Sequence, residues 1–175
     1  MFPLNFNNDR IYFKDIKIEH LPQILKWYNK TEEFKYATGI DTEITIDDLT
    51  RKYAETAICS KEFFAGIYNS EDNMMIGIIK GNVKYEDSDA VWISSIVIDT
   101  SFQDCGYGTS AVNLLLNYLG TKHGTKTAYL AVVEENLQGR TFWKRLGFTE
   151  MRVMQGRYKL NDRRQNVIIM TRQLI

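Results

Sequence analysis

Apolar positions along the chain fall into two spacings, and the change from one to the other marks the elements. Ile11 to Ile18 reads as a first strand. Leu21, Ile24, Leu25 and Tyr28 then fall at i, i+3, i+4 and i+7, one face of a helix, with Pro22 in its first turn. Thr45 is placed to cap a second helix, whose Ile46, Leu49, Tyr53 and Ala57 share a face. Phe63 to Tyr68 and Met74 to Tyr85 read as strands separated by Asn69-Ser70-Glu71-Asp72-Asn73, which is turn chemistry. Ala90 to Ile98 is β-branched and aromatic, the clearest strand of the chain.

After the segment Asp99 to Gly108, Val112, Leu115, Leu116 and Leu119 define another helical face, with Gly124 placed to end it. Thr127 to Val133 is a strand, and Leu137 to Leu146 a helix stopped by Gly147. Thr149 to Tyr158 and Asn166 to Leu174 are the last two strands. The order is β-α-α-β-β-β-α-β-α-β-β. Only the central strand-helix-strand demands a parallel crossover. The expected fold is therefore α/β (α+β): a mixed, mostly antiparallel sheet with helices on both faces. With 175 residues, no Ser/Gly-rich linker and only Pro3 and Pro22 as prolines, residues 1–175 read as a single domain.

Composition narrows the function. Lys plus Arg and Asp plus Glu both number 22, so no long-range field draws the chain to nucleic acid or to an anionic membrane. Two cysteines, Cys59 and Cys105, read as reduced thiols in a cytoplasmic protein. With two histidines and no CxxC or HExxH, no metal site is expected. No window approaches ~18 apolar residues, so no membrane span is expected.

The chemistry concentrates in Gln103-Asp104-Cys105-Gly106-Tyr107-Gly108-Thr109, between the clearest strand and the clearest helix. A helix start offers unpaired N–H groups and a partial positive charge, which suit phosphate oxygens. Glycines at 106 and 108 let those amides approach a diphosphate closely. A Cβ at Gly108 is expected to intrude on that diphosphate and to force an unfavourable dihedral. A dinucleotide fingerprint is one rival, since Gly106, Gly108 and Ala111 satisfy G-x-G-x-x-A, with Glu134 as the ribose-binding acid. Against it, Asp99 to Cys105 intervene between strand and glycine, and no β-α-β unit repeats. No Lys follows Gly108, so a Walker-type loop is excluded.

Here the chain resembles the GNAT superfamily of N-acetyltransferases. Their pyrophosphate loop, Q/R-x-x-G-x-G/A, stands as Gln103 to Gly108, preceded by the apolar pattern Ile96-Val97-Ile98. Their later strand, Asn and helix ending in an aromatic residue and L-G-F are matched by Tyr129 to Val132, Asn136, and Phe142-Trp143-Lys144-Arg145-Leu146-Gly147-Phe148. Leu25-Lys26-Trp27-Tyr28-Asn29 resembles the first helix of the branch with ribosomal-protein, polyamine and aminoglycoside acetyltransferases.

The resemblance implies acetyl-CoA as co-substrate, no metal, and an acceptor amine on a small molecule or protein N-terminus. It also leaves a homodimer open. It implies that the amides of Cys105, Gly106, Tyr107, Gly108 and Thr109 hold the pyrophosphate, with Gln103 and Asp104 in the same loop. Backbone groups of Ile96, Val97 and Ile98 would pair with the pantetheine arm like an added strand. Asn136 would contact that arm, cap the helix at Leu137, or do both, and Trp143 would pack beside the cofactor.

Trp143 stands where many relatives place a Tyr acid, and indole is only a donor. Ala131 and Ser95 stand where others have Glu. The catalytic residues are therefore open: Glu134 and Tyr85 are candidates, with Glu135 and Glu86 beside them. Cys105, in the loop and without a nearby His in sequence, is not read as a nucleophile. Trp27 and Tyr28, with Phe34 and Tyr36, are candidate acceptor contacts. The alternative reading is an acyl-CoA-binding sensor or interaction module without turnover.

Overall fold

The computed structural model describes residues 1–83, 89–160 and 162–174. Their strands are β1 (Ile11–Asp15), β2 (Glu62–Asn69), β3 (Met75–Val83), β4 (Ala90–Ile98), β5 (Thr127–Val133), β6 (Thr149–Leu160) and β7 (Arg163–Gln173). The α-helices are α1 (Leu21–Tyr28), α2 (Thr31–Thr38), α3 (Ile46–Ile58), α4 (Tyr107–His123) and α5 (Leu137–Arg145). The strands form one sheet in the order β1-β2-β3-β4-β5-β7-β6. Only β4 and β5 run parallel, joined through α4, as expected for a crossover of that length.

Alternation along the strands divides the core between the two faces of the sheet. Phe63 belongs to the core cluster of Leu115, Leu119, Leu130 and Trp143 on the α4 side, while its neighbour Phe64 belongs to that of Ile24, Trp27 and Leu49 on the α1–α3 side. In β4 this alternation is broken once. Lys80 pairs with Ser95 but Gly81 pairs with Ile93, so Ser94 is an extra residue, a β-bulge. The extra residue inverts the parity: Val91 and Ile93 face the α4 core, and Val97 faces the other.

Three differences from the sequence reading have local causes. Helix α2 was not expected, because Phe34 is its only buried residue and no apolar stripe shows. Its signals are acidic: Glu32 and Glu33 in the first turn, then Gly39 in the left-handed conformation at the end. The first strand stops at Asp15, since Ile18–His20 forms a short 3₁₀ turn and Ile18 is exposed. The β6–β7 hairpin is longer than expected, because its tip is polar and carries no apolar alternation to read. The end of the strand expected to reach Tyr85 lies outside the described residues.

Candidate active site

Strands β4 and β5 part company halfway along. Their last parallel pair is Ile93 with Leu130. Beyond it, Ser95 to Ile98 pair only with β3, and Ala131 to Val133 only with β7. The result is a wedge, and a cavity of about 440 Å³ opens there between Ser94–Ile98 on one wall and Leu130–Val132 on the other. Asp99 donates its N–H to Ile76 of β3 at 2.8 Å. By strand alternation, Ile96 and Ile98 therefore turn their backbone groups toward the wedge. The Ile98 carbonyl is already taken, accepting from Gln103 Nε2 at 2.9 Å. Gln103 thus pins the following loop to the end of the strand.

That loop makes two left-handed steps, at Asp104 (φ 56°) and Gly106 (φ 80°). Asp tolerates this region better than most residues, and Gly without cost from a Cβ. The steps deliver the chain to the start of α4 with no side chain capping it. Ser110 is the first residue with a hydrogen bond from within the helix, to Gly106 at 3.0 Å. The N–H groups of Tyr107, Gly108 and Thr109 are consequently free of helical acceptors, and all three residues line the cavity. Cys105 is exposed and is not part of the lining.

Gly108 corrects one expectation. It is the second residue of α4, and its backbone is not left-handed. A Cβ there would lie 3.4 Å from the Phe142 ring and 3.7 Å from Ile98 Cγ1. The glycine therefore lets the helix start sit against Phe142 and the strand; no dihedral strain is relieved.

Across the wedge, Asn136 is the N-cap of α5, its Oδ1 accepting from Gly139 N–H at 2.9 Å. A Cβ at Gly139 would collide with the Asn136 amide, so the glycine is part of the cap. Asn136 also lines the cavity, as does Trp143. Trp143 is 8% exposed and meets Phe142 and Phe148 edge-on, at 4.9 and 5.2 Å between ring centres. Ala131 faces the cavity without a titratable group. Ser95 gives its hydroxyl to the carbonyl of Ala37 at 2.6 Å, which ties α2 to the bulged strand.

The catalytic candidates separate sharply. Glu134 is not in the cavity lining; its Oε2 accepts from Asn166 Nδ2 at 2.8 Å, a contact to β7. Glu135 is exposed and also absent from that lining, while Tyr85 and Glu86 lie outside the described residues. Titratable side chains that do line the cavity are Asp104, Tyr107, Arg145, Tyr36 and Glu33, the last two brought in by α2.

The acceptor candidates also divide. Trp27 is 1% exposed and donates its indole N–H to Asp99 Oδ2 at 2.7 Å, a core contact. Tyr28 lines a second cavity, of about 500 Å³, and burial pushes its hydroxyl up to about 12.

One residue was missed. Arg10, just before β1, donates from Nη2 to the Cys105 carbonyl and lies 4.3 Å over the Tyr107 ring. It brings a positive charge to the loop before α4 from 95 residues away in sequence. Nothing in its local sequence distinguishes it from any exposed Arg.

A mixed sheet whose one parallel pair splays beside an uncapped helix start has the architecture of acyl-CoA N-acyltransferases. The model of the acetyltransferase (GNAT) domain family matches residues 14–169. The chain belongs to that family and is an acetyl-CoA-dependent N-acetyltransferase. No curated protein sequence matches it significantly. Among solved structures, it is similar to spermidine N-acetyltransferase from Vibrio cholerae in complex with CoA and spermine: 20% identity, 95% of this chain and 97% of the other, TM-score 0.83. A dodecameric structure of the Vibrio cholerae enzyme in an intermediate state gives 20% identity, 95% coverage of each chain and a TM-score of 0.75. These likenesses carry the fold. Among the described residues, no group of metal-ligating side chains is assembled and no helix is long and apolar enough to cross a membrane.

Proposed function

We propose that this acetyltransferase acts on a primary amine of a small molecule or a protein N-terminus, with coenzyme A lying in the wedge between β4 and β5. The observation that carries the reading is the parting of these strands at Ile93 and Leu130 beside the uncapped start of α4. A row of free amides at a helix start is what a diphosphate requires. A strand edge left open from Ser94 onward is what an extended amide-bearing arm requires.

The N–H groups of Tyr107, Gly108 and Thr109 donate to the pyrophosphate, and Arg10 adds charge from outside. Ile96 and Ile98 offer the strand edge, while Asn136 and Trp143 form the facing wall. The bound co-substrate supplies an activated acyl thioester, whose thiol, with a reference pKa of about 8.5, leaves tolerably as thiolate. The protein then has to hold the amine and exclude water, work that needs positioning more than a strong acid. Tyr107 and Tyr36 are the tyrosines that line the cavity.

A thiol-release assay over a panel of amines tests the reading, with spermidine included because of the structural neighbours. Acetyl-CoA-dependent thiol release with an acceptor supports it. Coenzyme A binding without release for any acceptor would instead favour a sensor. The specific observation on that side is Ala131 and Trp143 standing on the cavity wall without an ionisable group.

A further inference from the structure

The second cavity meets the first at the bulge, since Ser94 and Ser95 line both. It runs back between α3 and the strands β2, β3 and β4 on the α1–α3 side of the sheet. A molecule lying in it would have one end at the wedge where the strands part and the other under α3.

The charges of its wall are balanced. Lys52 and Glu55 enter from α3, Glu62 from β2 and Lys80 from β3. Lys80 is the deepest cation, 27% exposed at the side chain, with its Nζ 3.9 Å from Glu62 Oε2. That is the outer limit of an ion pair, so the ammonium keeps donors for another acceptor. Burial lowers its pKa, and the Glu62 carboxylate works in the opposite direction. Close by in β3, Asn82 Oδ1 is buried without a hydrogen-bond partner among the described residues, and its residue lines the same cavity. A buried acceptor left unpaired is unfavourable, and an N–H from a ligand would satisfy it.

A polyamine is a poor fit to such a wall. It needs an excess of carboxylates, and here each glutamate is matched by a lysine. A partly buried ammonium repels a second cation more strongly than a surface lysine does. An amine bearing a carboxylate meets a complementary cation instead: its anion reaches Lys80, and an N–H flanking that anion, where the acceptor carries one, reaches Glu62 and Asn82.

Building on the acetyl-transfer reading, we propose that this second cavity holds the non-reacting end of the acceptor and selects an amine carrying a carboxylate over a polyamine. Lys80 is the specificity-determining residue.

The test uses three amines matched in chain length: δ-aminovalerate, cadaverine and n-pentylamine, which differ at the far end only. Thiol release from wild type is expected to favour δ-aminovalerate over each of the others by at least about tenfold in kcat/KM, mostly through KM. Lys80→Met should collapse that ratio toward one, and Lys80→Glu should reverse it in favour of cadaverine. Preference for cadaverine in wild type, or a ratio untouched by Lys80→Met, overturns the proposal. Binding is read separately from the fluorescence of Trp92, which lines the cavity, with Trp92→Phe as the control for the other tryptophans. Quenching by δ-aminovalerate that is lost in Lys80→Met supports the site even if no acceptor turns over, a result that would sink only the enzymatic reading. Absence of quenching overturns the site itself. Calorimetry with coenzyme A verifies that each variant is folded.

Discussion

The guanidinium carbon of Arg10 lies over the ring of Tyr107, 4.3 Å from its centre, and the same guanidinium donates to the carbonyl of Cys105. Arg10 thereby holds both sides of Gly106, the left-handed residue on which α4 begins. Its charge stands at the positive end of the helix, where no carboxylate among the described residues forms an ion pair with it and where a diphosphate would supply an anion. Arg10→Met is expected to weaken coenzyme A binding about tenfold, about 1.4 kcal/mol, by isothermal calorimetry. An unchanged affinity would make Arg10 a brace for the loop and nothing more.

The two loop glycines should fail differently. Gly106→Ala places a side chain at φ 80° and within 3.2 Å of Arg10 Nη1, so stability and affinity should both drop, the former by about 1 kcal/mol. Gly108→Val accepts the helical backbone but crowds Phe142, 3.4 Å from the new Cβ. Its loss should appear mainly in coenzyme A affinity, at least about tenfold. Thermal melts beside calorimetry separate the two, and a folded Gly108→Val with normal affinity would make the loop a plain connector.

Asn136 is expected to act twice. Removing its cap with Asn136→Ala should destabilise the protein by about 1 kcal/mol in urea unfolding. If the amide also touches the bound arm, Asn136→Asp, which preserves the cap, should still raise KM for acetyl-CoA. An Asp variant that is normal in both measurements would leave only the cap.

Trp143 packs between Phe142 and Phe148 and has no proton to lose in the working range. With no tyrosine acid at that position, kcat/KM should rise with pH as the acceptor amine loses its proton, then level off. Trp143→Phe should keep most of kcat and shift KM. A bell-shaped profile in wild type would point to another acid, and Tyr107→Phe and Tyr36→Phe are then the variants to make first.

The Trp27–Asp99 hydrogen bond, 2.7 Å long, should leave a signature in acid. Burial alone would raise the Asp99 carboxyl, but donation from Trp27 and from Ser101 prevails and holds it below the ordinary value. The folded state therefore binds its proton less readily than the unfolded chain, whose Asp titrates near about 3.9. The stabilisation is fully present above that pH and is lost as pH falls through the depressed folded value. Trp27→Phe should cost about 2 kcal/mol near neutrality. The gap between variant and wild type should be constant from about pH 5 to 7 and narrow below about pH 4. A gap that stays constant into acid would assign the loss to packing alone.

The chain by itself determined the pieces whose causes are local. Apolar spacing located α1, α3 and α4, and β-branched density located β4, because each packs one stripe or face against the core. The glycines of the loop before α4 were legible for the same reason: left-handed turns and close approaches demand them at the site of use. Helix α2 was not legible, since one buried Phe34 makes no period and its place is set by Ser95 holding Ala37 from another element. The wedge is a tertiary fact as well. It exists because β5 stops pairing with β4 after Leu130 while β7, a strand more than thirty residues later, holds its other edge along the whole length. The bulge at Ser94 is equally a matter of register, and it decides which side chains of β4 reach each cavity. Arg10 at the loop before α4 and Lys80 beside Glu62 are meetings of distant residues across neighbouring strands and turns. No local pattern encodes such meetings, because what brings them together is burial of the whole sheet between its two layers of helices.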